Sequence, residues 1–205
     1  QGTSSEAVSV SVKWDGAPAV VCGKHPQTGR FFVATKSAFN TNEKVNYTKS
    51  DIAKNHGTEE LGQKLLKCLV HLKKLNIEGV VQGDLLFTDN DITRKNINNA
   101  PHITFTPNTI TYAVPEDSDL GKQVDRAKLG IIFHTTYNGD TLADMKASAG
   151  ADVASFGSSP DVFFDNATYK DVSGSAKFTA DETKTFMNGI EKLETLLQNV
   201  PRDLS

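Results

Sequence analysis

The chain has 205 residues, 38% of them hydrophobic, and a formal net charge of −3. That apolar content is enough for a core and excludes global disorder, while the charge argues against a uniformly basic nucleic-acid coat and leaves room only for a local basic groove. No apolar run reaches the length of a membrane span, so no membrane partner is expected.

Residues 1–7 are polar and read as a flexible N-terminus. Residues 8–35 read as a meander of short strands: an alternating run from Val8 to Val12, a bend at Gly16, then Ala19–Gly23, a turn through Pro26 and Gly29, and Phe31–Thr35. The stretch 36–50 is polar and loop-like, with Ser50 or Asp51 placed to cap a following helix. Leu61, Leu65, Leu66, Leu69, Leu72 and Leu75 then recur at helical spacing. A strand over 77–87 follows, then a polar insertion from Thr88 to Pro101, strands around Ile103–Phe105 and Ile110–Val114, and a short basic helix ending near Lys128. Leu129–Tyr137 reads as a strand closed by the Asn138-Gly139 turn. Residues 140–149 and 179–199 read as helices, with a strand near Val162–Phe164. Cys22 and Cys68 lie in apolar settings without metal-ligand spacing and read as buried thiols of a reducing compartment. The expected class is α+β, with a curved antiparallel sheet flanked by helices.

Two places stand out chemically. Lys13 and Asp15 share one face of the first strand, with Trp14 opposite, just before a glycine bend. A lysine amine there can act as a nucleophile if burial or neighbouring cations lower its pKa; Asp15 would work against that lowering, so orientation or contact with metal or solvent suits it better. Asp84 sits between apolar neighbours in what reads as a central strand, a costly place for a charge unless it is paired or faces a cleft. A surface Lys–Asp pair at the first place and a strand-end ion pair at the second are the plainer alternatives.

Lys13-Trp14-Asp15-Gly16 resembles the K-x-D-G motif of the covalent nucleotidyltransferases: ATP-dependent DNA ligases, RNA ligases and mRNA capping enzymes. Further segments over residues 8–139 fall in that family's order. Gln82-Gly83-Asp84-Leu85 resembles its G-[E/D]-hydrophobic strand, and Ile131-Ile132-Phe133-His134 the strand whose aromatic ring stacks on the purine. The wording K-W-D-G-A-P also resembles a group of uncharacterised tailed-phage proteins.

The resemblance implies a ligase-type, ATP-grasp-like nucleotidyltransferase core over 8–139, with 140–205 as a helical and loop extension. It implies lysyl-AMP at Lys13, formed from ATP with Mg²⁺, and transfer of AMP to a nucleic-acid 5′-phosphate, RNA slightly ahead of DNA. It assigns nucleotide contacts to Asp15, Gly16, Lys36, Gly83, Asp84 and Phe133, with His134 where the family often has aspartate. Lys36 stands where the family usually has arginine, exchanging a fork for a point charge. The family's metal-associated glutamate motif is imitated only by Glu78-Gly79-Val80-Val81, and its K-x-K is absent, so the chain is expected to be truncated before the last motifs. The alternatives are a catalytically inactive nucleotide- or nucleic-acid-binding or structural phage protein, and a GTP-using capping-type guanylyltransferase. The expected location is the cytoplasm of an infected bacterium.

Overall fold

The computed structural model describes residues 14–167. By contacts the chain divides into the units Gln1–Tyr169 and Lys170–Ser205, and the described residues belong to the first. The expected strand over Val8–Val12 and the expected helix over 179–199 lie outside the described residues.

The centre is β3, Val80–Thr88, a nine-residue strand buried on both faces except at Asp84. It lies between β1 (Ala19–Lys24) and β7 (Leu129–Asn138), antiparallel to both. β2 (Phe31–Ala34) closes the β1 side as a hairpin. Across β7 the neighbour changes: β8 (Lys146–Ala149) pairs antiparallel with Thr135–Asn138, and β9 (Val162–Asn166) pairs parallel with Leu129–Phe133. A second sheet of three antiparallel strands holds β4 (Thr93–Ile97), β5 (Ala100–Phe105) and β6 (Tyr112–Pro115). The class is α+β with largely antiparallel sheets, and β9 is the parallel exception.

One face of the large sheet is covered by α2, Glu60–Leu72, whose Leu65, Cys68, Leu69 and Leu72 meet Val20, Cys22, Val81, Leu85, Leu129, Ile131 and Phe133. Both cysteines are unbridged and lie in this layer. Burial pushes the Cys68 thiol up to about 12 and Cys22 higher still, so both stay protonated and inert. The short helix before it, α1 (Lys49–His56), is capped by Thr48, two or three residues earlier than expected. Thr48 Oγ1 accepts from the Asp51 amide at 3.2 Å, and the Asp51 carboxylate accepts from the Thr48 amide at 2.9 Å, a reciprocal box.

The opposite face of the sheet carries two apolar clusters. At one end Leu86, Phe87 and Ile132 pack on Ile103, Phe105 and Val114 of the small sheet and on Val124 of α3, Asp119–Arg126. At the other end Val21, Phe32, Ala34 and Val80 pack with Ala38 and Leu142. The strip of sheet between the clusters is polar.

Three expectations are corrected. Residues 140–149 form no helix; they turn and enter β8, because the open edge of β7 supplies a ladder and Leu142 a buried anchor, which outweigh the helix propensity of Leu, Ala, Met and Lys. The insertion Thr88–Pro101 contains β4 and a tight turn whose Asn98 and Asn99 both have positive φ, the conformation a two-residue hairpin needs. The core does not end at residue 139, since β8 and β9 complete the large sheet.

Gly23 fixes how β1 meets the start of β3. Its φ is +138°, and a Cβ there would lie 1.8 Å from the Gly79 carbonyl oxygen. Gly23→Ala is expected to lower stability by at least ~1–3 kcal/mol, the usual cost of overpacking, read as a reduced urea midpoint with an unchanged slope.

Candidate functional site

The sequence motif begins outside the described residues at Lys13, which is bonded to Trp14. From Gly16 the chain runs alongside β3: the Ala17 amide donates to the Leu85 carbonyl at 2.9 Å, and the Leu85 amide donates to the Pro18 carbonyl at 3.0 Å. This brings Gly16 against Asp84. A Cβ on Gly16 would lie 2.6 Å from the Asp84 Cβ and 3.0 Å from the Leu85 carbonyl oxygen. The close approach that this glycine permits is to Asp84.

The Asp15 carboxylate takes the orienting role: Oδ1 accepts from Asn108 Nδ2 at 2.9 Å, and Oδ2 accepts from the Thr109 amide at 2.7 Å, Thr109 Oγ1 at 2.8 Å and the Ile110 amide at 2.8 Å. These four donors, led by the Asn108 and Thr109 side chains, hold the carboxyl far below its ordinary range. The Asp15 amide donates to the Tyr112 hydroxyl at 2.9 Å, and Trp14 stacks on the Tyr112 ring at 5.4 Å. Tyr112 in turn stacks on Phe105 at 5.5 Å. Asp15 is therefore a positioning residue that fastens the motif segment to the loop between β5 and β6.

On β3, Gln82 and Asp84 are two residues apart and share the face away from α2, with Val80 and Leu86. Opposite them β7 bulges: Gln82 pairs with Thr135 but Gly83 with Phe133, leaving His134 as the extra residue. The bulge turns His134 onto the Asp84 side, where its Nε2 lies 3.3 Å from Asp84 Oδ1 while Nδ1 meets Thr135 Oγ1 at 2.8 Å. Both side chains keep about a quarter of their surface exposed, 27% for His134 and 23% for Asp84. Next to them the Tyr137 hydroxyl donates to Gln82 Oε1 at 2.7 Å, and partial burial pushes the phenol above its usual range, so it remains a donor. Gln82, Asp84, His134, Thr135 and Tyr137 thus form a polar strip between the two apolar clusters.

The remaining expected contacts separate. Lys36 is exposed at the start of a 3₁₀ turn, Lys36–Phe39, which packs onto the same face through Ala38 and Phe39. Phe39 meets the Tyr137 ring at 4.4 Å. Lys36 makes no ion pair among the described residues and is available to a ligand. Gly83 points to the other face, where a Cβ would lie 2.6 Å from the Ile132 carbonyl oxygen; it admits β7, not a ligand. Phe133, expected to stack on a purine, is fully buried beneath α2, edge-on to Phe156 at 5.3 Å, and offers no ring face to a base. Among the described residues no three His, Cys, Asp or Glu side chains come together as a metal site.

Gln82 and Tyr137 were not singled out from the sequence, although Gln82 stands at the same alternation as Asp84 between apolar neighbours. The Asn108–Ile110 loop carried no such signal, because its role depends on a partner more than 90 residues away.

The Asp15 anchor has a definite pH signature. A carboxyl whose folded pKa lies below its unfolded value of 3.8 contributes stability that is complete above that value and is lost as pH falls through the folded one. Asp15→Asn is expected to lower the melting temperature by several degrees at pH 7. The gap from the parent should narrow in acid, below about pH 4. A constant gap from pH 7 to pH 2 in thermal melts would contradict this role.

No curated protein and no solved structure matches the chain. Among the described residues no helix is long and apolar enough to cross a membrane. One family model covers residues 1–204, and the chain belongs to that family, a family of unknown function designated DUF6267.

Proposed function

We propose that this domain is an ATP-dependent nucleotidyltransferase of the polynucleotide-ligase type, with Lys13 as the nucleophile. The observation that carries the reading is the approach of Gly16 to Asp84, which joins the lysine motif to the polar strip of Gln82, Asp84 and His134 on the central strands. The order of these segments along the chain, and their resemblance to ligase motifs, support the ligase-type fold.

In this reading the unprotonated Lys13 amine attacks the α-phosphorus of ATP. A P–N bond forms, the bond from the α-phosphorus to the bridging oxygen breaks, pyrophosphate leaves, and the amine's proton passes to solvent. A nucleic-acid 5′-phosphate oxygen then attacks the same phosphorus, the P–N bond breaks, and AMP moves to the polynucleotide, RNA ahead of DNA. Mg²⁺ bound with ATP would neutralise the triphosphate and aid the departure of pyrophosphate. Asp84 accepts a hydrogen bond from a ribose hydroxyl, and His134 holds Asp84 in place. Lys36 pairs with phosphate as a point charge. The phage resemblance and the two buried, protonated thiols support action in the reducing cytoplasm of an infected bacterium.

A second reading, a nucleotide- or nucleic-acid-binding module without transfer chemistry, is favoured by two observations. The Asp15 carboxylate is consumed by structural hydrogen bonds, and the sequence holds no K-x-K to neutralise a triphosphate.

Intact mass after incubation with Mg²⁺ and either ATP or GTP separates these readings. Ligase-type chemistry predicts an AMP adduct on the parent chain and none on Lys13→Ala. A GMP adduct in its place would mean guanylyl transfer of the capping type. No adduct with either nucleotide on folded protein would overturn the transfer reading and leave the binding module.

A further inference from the structure

Gln82 is 5% exposed, yet only half of its carboxamide is satisfied. Its Oε1 accepts from the Tyr137 hydroxyl at 2.7 Å, while no acceptor meets its Nε2 among the described residues. An amide nitrogen that keeps some exposure and meets no protein acceptor is open to a ligand or water. Among the described residues His56 Nε2 is the fully buried side-chain polar atom left unpaired; Gln82 Nε2 is not in that condition, so its share of the residual exposure opens outward.

Its place in the strip says what it would meet. Gly16 and Asp84 mark the end nearest the lysine motif. Gln82 is two residues further along β3, roughly 6.6 Å away at the rise of an extended strand. Beyond it the face turns aromatic and apolar, with Tyr137, Phe39, Ala38 and Val80. A nucleotide with its phosphates toward Gly16 and its ribose at Asp84 would lay its base against Gln82 and the half-buried Phe39–Tyr137 pair. The change along the strip from carboxylate, to carboxamide, to aromatic rings follows the change from sugar to base.

We propose that Gln82 is the base-reading residue of this site, and that Tyr137 is a positioning residue which occupies Oε1 so that Gln82 presents N–H donors only. Its ligand atom is then an acceptor on a purine edge, a ring nitrogen or the guanine oxygen. The inference rests on the nucleotide reading above, and it replaces the base contact that buried Phe133 cannot make.

Calorimetric binding of ATP, GTP, ribose 5-phosphate and inorganic tripolyphosphate to the intact chain tests it. Gln82→Ala should weaken the nucleotides about tenfold, the equivalent of one hydrogen bond of 1.4 kcal/mol, and leave ribose 5-phosphate and tripolyphosphate unchanged. Tyr137→Phe keeps the shape of the ring but releases Oε1, so it should alter the ratio of ATP to GTP affinity. Circular dichroism melts on both variants show whether each is folded. Equal losses for nucleotides and for base-free ligands, or unchanged nucleotide binding in both folded variants, would overturn the base-reading role alone. Failure of the parent chain to bind either nucleotide would remove the nucleotide reading, and this inference with it.

Discussion

The Asp15 carboxylate and its four donors from Asn108, Thr109 and Ile110 tie together two parts of the molecule that lie far apart in the chain. On one side is the segment that leads into β1; on the other is the loop of the small sheet. Acceptance by an ionised carboxylate makes these hydrogen bonds stronger than neutral ones and sets their directions. The stacked series Trp14, Tyr112, Phe105 continues the attachment into the core beneath. Lys13 directly precedes Trp14, so whatever the lysine does is done from a segment already clamped on its C-terminal side.

The polar strip depends on a compensating arrangement in β3 and β7. A strand with both faces in the core tolerates polar side chains only where they find partners. Gln82 finds Tyr137, and Asp84 finds His134. The His134 contact exists because β7 carries one residue more than β3 at that point. A glycine at position 83 then lets the backbones close over the irregularity. The bulge, the glycine and the Asp84–His134 contact are one local device, which brings both side chains onto a common face.

Much of this architecture is legible in the residues. The helical stripe of α2 and the alternation of β5 follow from local period, whereas Asn138-Gly139 marks only the end of β7, since Asn138 still pairs with Lys146 across a longer loop. β4 is not legible, because Thr93–Ile97 is exposed along its whole length and has no apolar alternation to read. β8 is masked by alanines that favour a helix in isolation, and only the vacant edge of β7 decides otherwise. At the site, Asp84 announces itself as a charge among apolar neighbours. Phe133 misleads for the complementary reason: Leu129–Phe133 is buried on both faces, so the pattern holds no clue to which face carries the helix. Asp15 could be seen as special, but its partners are set by a loop far along the chain.

The split pairing of β7 also bears on how the chain assembles. Its C-terminal half is bordered by β8, which begins eight residues after β7 ends, whereas its N-terminal half waits for β9, which begins at Val162. Leu129–Phe133 therefore leaves the ribosome as an apolar strand with one side unpaired, and it stays so until the chain has grown by about thirty residues. Such an edge is a template for wrong partners. The β7–β8 hairpin forms early but covers only the polar half. The late, parallel β9 both completes the sheet and removes its most association-prone edge, so the order of synthesis leaves the stickiest strand to be covered last.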